Sequence, residues 1–68
     1  MAHVHNVTDQ PFTWIVTDDD GTVQFGTVDE FHNMDSVVYI ATWFEDGKVC
    51  TKTRASFTTA VLTLVNAH

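Results

Sequence analysis

The chain has 68 residues, a net charge of −6 at neutral pH and 44% hydrophobic residues, which allows one small domain over residues 1–68. Cys50 is the lone cysteine, so a disulfide framework within one chain is excluded, and no apolar run nears the roughly 20 residues a bilayer-spanning helix needs. A chain this short buries only about 60% of its unfolded surface, and oligomerisation is the expected source of added stability.

The opening stretch carries His3 and His5, which project to one face if it is extended. It lacks the basic-then-apolar pattern of a signal peptide, and a cytoplasmic (intracellular) location is expected. Pro11 is placed to start a strand, and a first hairpin is predicted from Phe12–Thr17 to Thr22–Val28. With Asp18–Gly21 as a four-residue loop, Val16 lies opposite Val23 and Trp14 opposite Phe25, an apolar pairing that favours this register. Residues 29–36 read as a connection with room for one helical turn, tucking Phe31 and Met34 under the sheet.

A second hairpin follows, Val37–Glu45 and Lys48–Arg54, around Asp46-Gly47. A two-residue type I′ turn there sets Glu45 against Lys48, Phe44 against Val49, Trp43 against Cys50, Ala41 against Lys52 and Tyr39 against Arg54. One face of this hairpin then carries Val38, Ile40, Phe44 and Val49 among threonines. The other carries Tyr39, Ala41, Trp43, Cys50 and every basic residue of the chain. In residues 55–68, Phe57, Ala60, Val61, Leu64 and Val65 keep helical spacing behind Ser56, a good N-cap. The β-branched Thr58, Thr59, Val61, Thr63 and Val65 argue for a strand instead; the stripe and the cap favour a helix. The fold expected is α+β, a small antiparallel sheet of two β-hairpins with a C-terminal helix; the alternative is an all-β small barrel or meander.

Charge is segregated along the chain. All nine carboxylates precede residue 47, and Lys48, Lys52 and Arg54 are the only Lys or Arg. Tyr39, Trp43, Lys48, Lys52 and Arg54 therefore form the expected interaction face, cations beside flat rings. Asp18, Asp19, Asp20, Asp29 and Glu30 form the expected acidic docking elements. The two patches are complementary, which permits a head-to-tail assembly of identical chains.

Catalysis finds little footing. Cys50 has no histidine near it in sequence, and neither a Gly-rich phosphate loop nor a paired-cysteine motif is present. His3 and His5, with His32 and His68, supply imidazoles, but a His-x-His pair is too common to define a metal site. No metal, cofactor or catalytic residue is assigned, and no membrane association is expected.

Scattered fragments are similar to the tryptophan-sensing RNA-binding attenuation protein, whose small β-rich subunits form a ring. They are Phe12-x-x-Ile15, Asp20-Gly21, Gly26, Phe31-His32, Ile40-Ala41 and Lys52-x-Arg54. Two deletions are needed to align them, and that family's polar tryptophan-binding run is missing after Trp43, where this chain reads Phe44-Glu45-Asp46-Gly47-Lys48. No family is assigned; the resemblance implies only a ring and an RNA ligand as alternatives. The function expected is a non-catalytic protein–protein interaction module, as a homo-oligomer or an inhibitor-type protein. The alternatives are a single-stranded nucleic-acid (RNA) binding ring subunit and an acidic inhibitor, viral ones included, of a basic-surfaced nucleic-acid-binding protein.

Overall fold

The computed structural model describes residues 2–68. Five strands, β1 (His3–Val7), β2 (Gln10–Thr17), β3 (Gln24–Asn33), β4 (Ser36–Glu45) and β5 (Lys48–Arg54), precede one helix, α1 (Phe57–Asn66). The strands form one antiparallel sheet in the order β1-β2-β3-β4-β5. The α+β architecture is therefore as the sequence predicts, with a fifth strand, β1, added to the four expected in the single antiparallel sheet.

The connections show where local chemistry decides. Asp46 and Gly47 both take positive φ, 53° and 78°, as a type I′ turn demands, and the β4–β5 register matches every expected pair from Glu45↔Lys48 to Tyr39↔Arg54. The first hairpin departs from expectation. Its connection runs through residues 18–23, closed by Asp18 N–H donating to the Val23 carbonyl at 3.0 Å and Gly21 N–H donating to the Asp18 carbonyl at 3.2 Å. Hydrogen bonding, chiefly from the Thr22 side chain, holds the Asp20 carboxyl in this loop below its usual pKa. A register irregularity at Val16/Thr17 then sets Val16 against Gly26 and Trp14 against Val28, not against Val23 and Phe25. Residues 29–36 are likewise not a loose connection. β3 continues to Asn33 and turns at Met34-Asp35 into β4, with Asn33 opposite Ser36. The polar Asp29, Glu30, His32 and Asn33 obscure a strand whose partners lie on both sides.

β1 is an edge strand turning at Thr8-Asp9 into β2, with Asp9 at φ 68°. Asn6 Nδ2 donates to the carbonyls of Pro11 and Thr13, each at 3.2 Å, beside the irregularity between Asn6 and Val7.

Helix α1 begins where Ser56 caps it. Ser56 Oγ accepts from Thr59 N–H at 3.1 Å and lies 2.7 Å from Thr59 Oγ1. Ser56→Ala should lower stability by about 1 kcal/mol, read as a reduced urea midpoint at unchanged slope. The helix lies across β3, β4 and β5. Its Ala60 and Leu64 join Val16, Val28, Ala41 and Trp43 in the buried core. Trp14 and Tyr39 both meet the Phe57 ring edge-on, with centroids 5.1 and 5.8 Å away. Arg54 Nε donates to Thr63 Oγ1 at 3.0 Å, tying β5 to the helix.

Candidate interaction surface

Which face of the sheet the helix covers determines which face is left to meet a partner. The pairing registers place Trp14 and Val16 of β2, Gly26 and Val28 of β3, and Tyr39, Ala41 and Trp43 of β4 on one face. That face offers apolar side chains at its rim and small residues at its centre, a trough that fits Ala60 and Leu64. Within the second hairpin alone the two faces look equally apolar. Trp14, Val16, Gly26 and Val28 tip the choice.

The expected interaction face is consequently the one under the helix. Trp43 is 9% exposed and belongs to the core, and Tyr39 is half-buried against Phe57. Burial, followed by the nearby Glu30 carboxylate, pushes the Tyr39 hydroxyl above its ordinary pKa of 10.0. Arg54 is engaged with Thr63 and the Thr53 carbonyl. Of the five residues, Lys48 and Lys52 alone are exposed, on the sheet edge. The structure thus retains the basic strip and removes the rings from it.

The acidic residues are also separated. Asp18, Asp19 and Asp20 share the β2–β3 loop, whereas Asp29 and Glu30 lie mid-strand on opposite faces of β3. Thr13 Oγ1 donates to Asp29 Oδ1 at 2.8 Å, and Glu30 meets His32 Nε2. These two half-buried carboxylates are bound within the sheet and do not join the loop acids in one docking element.

Among the described residues nothing packs over the opposite face. Two rows cross it: His5, Ile15, Thr27, Thr42 and Thr51 across all five strands, and Thr13, Asp29, Ile40 and Thr53 across four. The pairs Phe31↔Val38 and Phe44↔Val49 flank these rows. Phe31 is 56% exposed, Phe44 69% and Val49 61%. Asp29 is the one carboxylate on these strand positions, and neither Lys nor Arg is among them. On a chain of net charge −6 this is a nearly uncharged, threonine-rich and apolar surface.

Other chemistry is sparse. Cys50 Sγ lies 3.9 Å from Glu45 Oε2 and 4.0 Å from the Lys48 carbonyl, with no imidazole among its partners. The His3 and His5 rings stack 6.2 Å apart. Among the described residues no three His, Cys, Asp or Glu side chains gather as a metal site, and no helix is long and apolar enough to cross a membrane. A cavity of about 140 Å³ lies at the end of the β3–β4 ladder beyond Thr27↔Thr42, lined in part by Phe25, Gly26, Trp43 and His68. The His68 ring stacks on Phe25 there, with Nε2 2.8 Å from the Phe25 carbonyl oxygen.

No protein-family model, curated protein or solved structure matches this chain. Function must be argued from its surfaces.

Proposed function

We propose that this chain is a non-catalytic protein–protein interaction module that assembles with a second copy of itself through the uncovered sheet face. The observation carrying this reading is the pairing of exposed Phe31, Phe44 and Val49 with an almost chargeless surround on a chain of net charge −6. Two acidic copies repel one another over most approaches, and this face is where they can come together with least Coulomb cost. Its size also suits the purpose. Five strands about 4.8 Å apart, each contributing about seven residues, project roughly 550 Å² per copy, so a pair clears the ~1,000 Å² of a biological contact. Stacked sheets would interleave Ile40, Phe44 and Val49 in a second core about 10 Å thick, enlarging a small one.

This moves the docking surface from the basic–aromatic face, which the helix occupies, to its reverse. The test is native mass by light scattering. The unaltered chain should run at twice 7.6 kDa. Phe31→Asp with Phe44→Asp, at exposed sites, should run as a folded monomer. A monomeric unaltered chain, or a dimer indifferent to both changes, would remove the proposal.

A further inference from the structure

We propose that β5 is a pairing edge for an extended acidic peptide of a partner protein, with carboxylates at alternate residues. β5 is an outer strand, joined to β4 on one side only, so its other side presents backbone donors and acceptors to a further strand. Alternation sends Lys48, Lys52 and Arg54 toward the helix side and Val49, Thr51 and Thr53 toward the open face. None of the three cations is in an ion pair among the described residues; even Lys48, opposite Glu45 in the register, does not close one. An added strand with acids facing Lys48 and Lys52, and Val or Thr facing Val49 and Thr51, satisfies both sides through cross-strand pairs. Arg54, held by Thr63, adds field without needing direct contact.

Lysine on an edge can also serve to repel stray strands. Here the other edge, β1, has neither Lys nor Arg, and the open-face residues of β5 are all β-branched and uncharged. That composition welcomes a neighbour of the right charge. A single-stranded nucleic acid fits less well, because the rings it would stack on are occupied: Trp43 in the core and Tyr39 against Phe57. The pairing edge uses the β5 backbone and the helix-side lysines, whereas self-assembly uses open-face side chains. Val49 and Thr51 border both, but substitutions at Lys48 and Lys52 leave them unchanged, so either proposal can fail without the other.

Fluorescence anisotropy of a labelled peptide alternating Glu and Val tests the assignment. Binding should weaken about tenfold or more in Lys48→Glu with Lys52→Glu, and by less in Lys48→Met with Lys52→Met, both folded by circular dichroism. Methylating alternate backbone amides of the peptide should abolish binding, since strand pairing needs those donors. Absence of binding, equal affinity in the charge-reversed variant or unimpaired binding of the methylated peptide would each overturn the proposal. Tighter capture of oligothymidine than of the peptide would overturn it in favour of nucleic acid.

Discussion

Gly26→Ala is expected to abolish the native fold, or to leave a species whose urea midpoint is sharply reduced. An added Cβ would stand far inside van der Waals contact of the Thr42 carbonyl oxygen, 2.8 Å from Leu64 Cδ2 and 3.2 Å from Trp43 Cβ. The first of these neighbours is backbone of β4, an inner strand paired on both sides, which cannot swing aside as a side chain can. Relief would require β3 and β4 to part or α1 to lift, and either opens the core formed by Val16, Val28, Ala41 and Leu64. Overpacking a tight site costs typically 1–3 kcal/mol, and a clash with backbone belongs at or above the top of that range. A domain of this size holds on the order of 3–10 kcal/mol in all. Urea denaturation followed by circular dichroism measures the effect. A midpoint close to the unaltered protein's would mean that β4 does not close on Gly26 at Thr42 and that the helix does not seat over it.

Leu64→Ala should cost about 2–5 kcal/mol, the range for emptying a fully buried leucine site. Among the described residues Leu64 is the largest wholly buried side chain, and with Ala60 it is the buried part of α1. The hole cannot readily collapse, because Gly26, Ala41 and Ala60 around it have little side chain to move inward. The two substitutions should also be less than additive. Removing Leu64 Cδ2 relieves one contact of the methyl group that Gly26→Ala introduces, while leaving the Thr42 carbonyl in place. A strictly additive double variant would show that the two sites do not touch.

The second hairpin and the helix were legible because each carries chemistry that acts over a few residues. Asp46-Gly47 fixes a turn and hence a register, and Ser56 fixes a helix start ahead of a regular apolar stripe. The first hairpin was less so. Asp20-Gly21 signals a turn, but the six-residue connection and the irregularity at Val16/Thr17 set Val16 against Gly26, which lies beneath Leu64, a contact between residues distant in sequence that no local pattern marks. β1 and the far half of β3 were hidden because their side chains are mostly polar and exposed, so no alternation of hydrophobicity marks them. The same distinction governs the surface. The basic strip on β5 follows from local register alone, whereas the choice of covered face rests on Trp14, Val16, Gly26 and Val28, two strands away.

Self-association through the open face is tested most directly by how the dimer responds to salt, measured by sedimentation at low and high ionic strength. Two chains of charge −6 brought together by an apolar contact repel at long range, and screening that repulsion should tighten the dimer as salt rises. Assembly through the acidic loop and the basic edge would respond in the opposite sense, loosening as the attraction is screened. A dimer that strengthens or holds with salt is the predicted result. One that dissociates would contradict the open face as the contact and return the assembly to Asp18–Asp20 and β5.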